Sequence, residues 1–459
     1  MRPSLAFLRG LLLFGAAAVR AFAAPSPAEV EAGAVARQEI VVTNQNVAVV
    51  SETRSANLPA GEVSLVWTGV PSSARTETWS LTNAPEAAVR LLGLSAPLPS
   101  AGLLVDLVGK RVRVERPGGA GSVEAEVVAV SGATPDQILF REDNGLVYGE
   151  PGARLVLLGP AAGPGRVTLR LSSERAGERA LKSRYLVSDI DWQANYALTL
   201  APDEKSGRLE GWFTIDNRSG VAFAPARLRL LAGVLRVASA PAPRVAPMQA
   251  QALVAGGVEA SQPVSESRMY EVASPGRLAP GRAAFRLAEN AEVPIEKRYV
   301  ARTSYWFGEN AESQTVPVAV IYRVGARKLA AALPAGVVRI YVDAGSVFAG
   351  EDRIGHIPEK TDFDVESSEA FDLTARRRQT SFTQTGPRES ESAWEVTIAS
   401  RKTDAATVIV RDSFPGDWSL VESSVPASQK SARVVEFPVP VAAGGEVRLT
   451  YRVRVRTGR

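Results

Sequence analysis

The chain has no cysteine, a single histidine and only three methionines. The first absence excludes disulfides, thiolate metal sites and cysteine nucleophiles, so the core alone must hold the fold. His356 cannot build a zinc triad by itself, and one imidazole among carboxylates is a sparse transition-metal site. A Ser-His-Asp hydrolase would have to use His356 as its base, and no G-x-S-x-G elbow accompanies it. An excess of one charge is also missing, since 53 Lys and Arg against 49 Asp and Glu leave a net +4. Basic residues gather only at Arg376-Arg377-Arg378 and in the Arg452/Arg454/Arg456 alternation. Both read as solvated strand faces or edge protection rather than as a nucleic-acid footprint. After the N-terminus, no segment approaches the roughly 18 apolar residues of a membrane-spanning helix, and none keeps a long helical period.

What is present begins with an export signal. Arg2 and Arg9 precede the apolar run Leu11 to Val19, and Ala21-Phe22-Ala23 fits an A-x-A cleavage site. The expectation is a signal peptide over 1–23, a mobile leader over 24–37 and a periplasmic or secreted mature protein. With no cysteine after the cleavage site it is not a lipoprotein, and no stable membrane span remains after cleavage.

The rest of the chain reads as all-β, organised around Arg184 to Ala232. Tyr196, Leu198 and Leu200 alternate with Ala197 and Thr199, the period of a half-buried strand. Leu209, Gly211, Phe213 and Ile215 share one face of the next strand, with Glu210, Trp212 and Thr214 on the other. Ala226 to Ala232 follows the turn at Asn217 to Gly220, so the three segments read as a meander seeding a sandwich.

Around this stretch the sequence predicts an N-terminal β-sandwich-like domain over 38–101 and 161–180. Into it are inserted five very short strands, KRVRVER to ARLVLLG, punctuated by PGGAG, SGATPD, DNG and EPG. Such dense strands suggest a small SH3-like barrel over 102–160, with one short helix at 102–108. A large antiparallel sandwich region, one sandwich or two, fills 181–459. Within it, residues 237–267 are dominated by Ala, Pro, Gln, Ser and Val without an aromatic, and are expected to form a disordered loop.

Three groups of blocks carry a family resemblance. One is YLVSDIDWQANYALTL with LEGWFTIDNRSG and ARLRLLAG; another is LPAGVVRIYV, GEDRIGHIP and EAFDLTARR. The third is RDSFPGDWSL with SSVP and VVEFPVPVAAGGEVRLTYRVRV. Over residues 185–456 the chain resembles a bacterial family of exported β-proteins catalogued as domain of unknown function 4139. Its N-terminal part, with NQNVAVVSETRSANLPAG and VGKRVRV, is similar to the region that commonly precedes that domain. The resemblance implies an extracytoplasmic β-sandwich without established activity, and it supplies no catalytic residue. The chain departs modestly from the family pattern, since GEDRIGHIP lacks the Thr often found after the His.

No cofactor motif emerges. Gly102 to Lys110 has the wrong spacer for a phosphate loop, and Arg111 stands where Ser or Thr is required. Asp362, Asp364, Glu366 and Glu369 have calcium-like chemistry, but Ser367 and Leu373 occupy the loop positions that need Gly and a bidentate Glu. Alternation on an exposed strand face accounts for them instead. His356, with Glu351 and Asp352 nearby, reads as a turn-stabilising residue in a charged loop, with a surface binding loop as the other reading. Trp192, Trp212, Trp394 and Trp418 read as core tryptophans. Tyr305-Trp306-Phe307 is different, because three consecutive aromatics must place at least one on each face of a strand. These three, with Glu351, Asp352 and His356, form the candidate interaction surface of a non-enzymatic protein that binds an envelope protein or polymer. The alternative is a hydrolase acting on an envelope glycan or peptide through carboxylates such as Asp189, Asp191, Glu351 or Asp352.

Overall fold

The computed structural model describes residues 28–456, apart from 85, 97–106, 120, 133, 159–164, 234–252, 265–266, 274, 311, 328 and 330. The expected signal peptide lies outside the described residues, as does most of the helix expected at 102–108. Among the described residues every regular element is a strand, apart from three single 3₁₀ turns. The protein is all-β.

Most of the apolar residues gather in two large cores. The first lies between two facing sheets. One sheet runs, neighbour to neighbour, through Leu253–Val264, Ser267–Val272, Arg227–Ala232, Val35–Thr43, Val47–Leu58, Gly177–Ser188 and Ala74–Leu81. The other runs through Gly281–Ser304, Ser206–Asn217, Ile190–Leu200, Gly336–Val342 and Val347–Ile354. Period-two alternation turns Trp192, Ala194, Tyr196, Leu198 and Leu200 inward from one strand. Phe213 of the second sheet meets Tyr270 of the first edge to face at 5.2 Å, so the two inner faces interdigitate.

The chain passes from one sheet to the other at a single residue. Gly177–Ser188 belongs to the first sheet and Ile190–Leu200 to the second, with only Asp189 between them. Asp189 has φ of 65°, a left-handed conformation that Asp tolerates better than β-branched residues, and its carbonyl accepts the Arg218 N–H.

The second core lies further along. The 24-residue strand Gly281–Ser304 leaves the first sandwich and pairs with Val318–Val324 and Ala406–Ser413. That sheet also holds Phe363–Glu369, Val434–Val441 and Ser428–Ser431. It faces a sheet of Gln314–Val316, Leu373–Gly386, Glu389–Ser400, Glu446–Arg456 and Asp417–Ser423. Val396, Ile398, Val408, Val410, Phe437 and Tyr451 are buried between them.

A third, small core belongs to five antiparallel strands in the order Gly145–Tyr148, Ile138–Glu142, Ser122–Val130, Arg111–Glu115 and Arg154–Leu157. Val112, Val127, Ile138 and Phe140 fill it. These pairings run in a line, and the closure of a barrel is not among them. The unit is carried between Val89–Ser95 and Val167–Ser173, which are adjacent in a four-stranded sheet with Gly61–Trp67 and Ala28–Glu31.

Several expectations are corrected. The leader expected to be mobile over 24–37 contains the strand Ala28–Glu31, which pairs in parallel with Gly61–Trp67 and so has its backbone groups satisfied. The meander fails at its third strand. Arg227–Ala232 does not pair with Ser206–Asn217 but joins the opposite sheet, parallel to Val35–Thr43. Part of the loop expected to be disordered over 237–267 is the strand Leu253–Val264, whose backbone pairs with Ser267–Val272 on one side and Gly281–Ser304 on the other. The remainder, up to residue 252, lies outside the described residues. The sheets are also mixed rather than purely antiparallel, with five parallel pairings among the described residues. Finally, the segments of the expected N-terminal domain have no core of their own. Ile40, Val50, Val63 and Leu169 share one cluster with Tyr185, Phe213 and Val338, because Val47–Leu58 pairs along its whole length with Gly177–Ser188.

Candidate functional site

Tyr305, Trp306 and Phe307 follow directly on the long strand and divide by face. Tyr305 turns inward, its hydroxyl 2.6 Å from Ser390 Oγ and its ring 6.1 Å from Phe414. Trp306 and Phe307 are exposed at 56% and 52%. The Phe307 ring meets Phe382 edge to face at 5.8 Å, so the two elements present one aromatic surface. Gln379 ties the loop down: its Oε1 accepts the Asn310 N–H at 2.7 Å and its Nε2 donates to Gly308 O at 3.1 Å. Beside this surface lies a partly open sheet edge. Among the described residues, Gln314–Val316 pairs with Leu373–Gly386 at Ala375, Arg376 and Arg377 only.

Glu351, Asp352 and His356 sit elsewhere, on the hairpin edge of the first sandwich. Glu351 pairs with Arg339 at 3.2 Å. Asp352 accepts the N–H groups of Arg353 and Glu366 at 2.7 and 2.8 Å, which stitches its strand to the neighbouring one. His356 is exposed, and its Nδ1 accepts the Ala335 N–H at 3.2 Å. These three do not join the aromatic surface.

The carboxylates of the alternative reading do not converge. Asp189 and Asp191 lie at the corner between the sheets, held by Asn46, whose backbone N–H donates to Asp191 Oδ1. Burial raises the Asp191 carboxyl above its ordinary range, partly offset by the N–H bonds of Trp192 and Asn46. Glu351 is two strands over, level with Ala197. Six residues of strand at ~3.3 Å each put about 20 Å between the two sites along the sheet alone, well beyond the spacing of a glycosidase pair. None of the four lines the clefts of about 540, 330 and 360 Å³ on the surface. The acids from Asp362 to Glu366 alternate outward and pair with Arg323 and Arg302, while Phe363 and Val365 point in. Among the described residues no group of His, Asp and Glu could hold a metal ion.

Two buried polar clusters were not anticipated. In the first sandwich, Glu52 is 1% exposed and accepts hydrogen bonds from Gln38, Arg54, Trp67 Nε1 and the Tyr185 hydroxyl. In the second, Arg377 is 3% exposed, which corrects the expectation of a solvated arginine run. Its guanidinium lies 3.7 Å above the Trp394 ring and donates to Asp412 Oδ2 at 2.6 Å, Tyr451 Oη at 3.0 Å and Ser304 O at 2.6 Å. Alternation from Leu373 and Ala375 forces the side chain inward, and these partners offset its desolvation. The signal was an ion-forming residue in step with apolar ones: Glu52 and Arg54 share the face of Val50 and Ala56.

One tryptophan also departs from the core reading. Trp192 and Trp394 are buried, and Trp418 packs half-buried against the second core with its ring 4.9 Å from Phe414, whereas Trp212 is half-buried on an outer face. Trp418 Nε1 donates to Ala432 O, and Trp212 lines the 360 Å³ cleft. No family model matches the chain, and the search of curated proteins finds no match. Among the described residues no helix is long and apolar enough to cross a membrane.

Proposed function

We propose that the protein is a non-catalytic, exported binding protein of the cell envelope, and that the surface of Trp306, Phe307 and Phe382 holds an extended segment of a partner protein. The observation that carries this reading is the exposure of two large aromatic side chains on a loop fastened beside a partly uncovered strand edge. Exposed aromatics of this kind are the usual anchors of protein interfaces. An edge strand offers main-chain hydrogen bonds to an incoming strand, so edge and anchors together fit strand addition. The N-terminal export pattern and the resemblance of the sequence blocks to domain of unknown function 4139 support the envelope setting.

A photo-crosslinking residue in place of Phe307, in the full chain expressed in its native envelope, tests the reading. It should give a discrete protein adduct that Trp306→Ala depletes and that the same probe at exposed Arg208 does not give. Equal labelling from both positions, or no adduct at position 307, would remove the partner from this surface.

A further inference from the structure

The outer face of the second sheet carries a shaped cleft well away from the aromatic loop. Its floor is the central strand Ile190–Leu200, whose outward side chains Asn195, Ala197 and Thr199 are small. One wall is Trp212, directly across from Asn195. The other is Arg339 and Tyr341, which stand level with Ala197 and Thr199 through a parallel pairing. Gly345, in the turn beyond Tyr341, completes the lining. The cleft holds about 360 Å³, within the roughly 300–1,000 Å³ of ligand sites.

The polar groups are fixed before any ligand arrives. Arg339 donates to Asn195 Oδ1 at 3.2 Å, and Asn195 Nδ2 donates to Thr214 Oγ1 at 3.1 Å. Arg339 Nε faces Glu351 at 3.2 Å. The guanidinium has five donors and the amide four hydrogen-bonding sites, so both keep capacity for a ligand. The charge of Arg339 is matched by Glu351, and on the neighbouring strand Glu210 and Arg208 stand level with Ala197 and Thr199, so neither sign of charge prevails beside the floor. The floor strand is paired on both sides, with Ser206–Asn217 and Gly336–Val342, so it cannot accept an added peptide strand. What remains is a flat aromatic wall, a tyrosine and a set of oriented neutral or paired hydrogen-bonding groups. A ligand matched to that set is uncharged, has many hydroxyls and presents a flat C–H face to an indole.

We infer that this cleft is a binding site for a neutral oligosaccharide, with a pyranose ring against Trp212 and its hydroxyls on Asn195 and Arg339. The site is separate from the partner surface proposed above and does not depend on it.

The test titrates the full-length protein with chitotetraose and with maltotetraose, one β-linked and one α-linked neutral oligomer, and with an acidic galacturonate tetramer. Calorimetry and tryptophan emission are the readouts. At least one neutral oligomer should bind saturably and shift the emission, with the acidic one weaker. Trp212→Ala and Arg339→Ala should each weaken binding by about tenfold or more, a loss of ~1.4 kcal/mol. Trp212→Phe keeps a ring and should lose less, which preserves the test if the alanine variant unfolds. Trp306→Ala should bind as the unaltered protein does. Failure of both neutral oligomers to bind, binding of the acidic tetramer alone, or undiminished binding by a folded Trp212→Ala or Trp212→Phe/Arg339→Ala protein would overturn the assignment.

Discussion

Arg377 and Glu52 show how each sandwich accommodates a charge in its core. Each cluster combines a carboxylate, an arginine, a tyrosine hydroxyl and a tryptophan. Glu52 has Arg54, Tyr185 and Trp67; Asp412 has Arg377, Tyr451 and Trp394. In both, the carboxylate accepts several hydrogen bonds and the guanidinium lies over an indole, at 4.8 Å for Arg54 on Trp67. Removing one partner from such a set leaves a buried charge without compensation, at a cost of about 3–5 kcal/mol, whereas replacing the whole set with apolar groups can be nearly neutral. Arg377→Ala should therefore lower stability by about that amount, and Arg377→Met combined with Asp412→Leu and Tyr451→Phe should lower it less. Urea unfolding of the three proteins measures the difference. A triple variant at least as unstable as Arg377→Ala would show that the cluster contributes more than mutual compensation.

At the scale of elements, the hairpin Gly336–Val342 and Val347–Ile354 seats one wall of the saccharide cleft, and close approaches at two glycines, Gly336 against Ala194 and Gly350 against Ser367, set its placement. Gly350 has φ of 142°, and a Cβ there would stand 2.0 Å from Ser367 O on the adjoining strand. Gly350→Ala must both strain the backbone and push the hairpin off its neighbour. It should cost about 1–3 kcal/mol or more and weaken oligosaccharide binding. Gly355→Ala, where nothing lies within 4 Å and φ is ordinary, serves as the control. Thermal unfolding with the same titration reads both effects. Individual strands such as Ile190–Leu200 were legible in the sequence because alternation is local, but their partners were not. Arg227–Ala232 reads as the third strand of a meander, yet it crosses to the other sheet, where Val35–Thr43 offers an open edge. The same limit hid the cleft. Alternation set Trp212 on one face with Glu210 and Thr214, yet it was read as a core tryptophan, and Arg339 and Tyr341 come from a distant segment through a parallel pairing that leaves no local pattern. That some of Tyr305, Trp306 and Phe307 are exposed was readable for the opposite reason, since three aromatics in a row cannot all face inward, but that Tyr305 is the one turned in was not.

The molecule carries two large sandwich cores that share strands such as Gly281–Ser304 and Val318–Val324, with a small third core besides, and its five most deeply held tyrosines are divided between the two large ones. Tyr185, Tyr196, Tyr270 and Tyr322 lie in the first core and Tyr451 in the second. Burial raises the phenol pKa of each, and Glu52, Glu204 and Asp412 add to the effect at Tyr185, Tyr322 and Tyr451. Tyr270 is pushed up to about 12. A phenol whose folded pKa exceeds its unfolded value of about 10 binds its proton more tightly in the folded state. Its contribution to stability is fully present below that unfolded value and is lost as pH rises through the folded one. Each tyrosine should therefore subtract about 1.4 kcal/mol per pH unit above pH ~10, with the loss at Tyr270 complete near pH 12. Five acting together, about 7 kcal/mol per unit, would consume most of an ordinary domain's stability within one to two units. Tyrosinate absorbance and far-ultraviolet dichroism followed together from pH 9 to 12.5 should show these phenols ionising only as the strands melt. Complete ionisation of all nine tyrosines in a protein that keeps its native dichroism would overturn the expectation, because the phenols would then be exposed to solvent in the folded state.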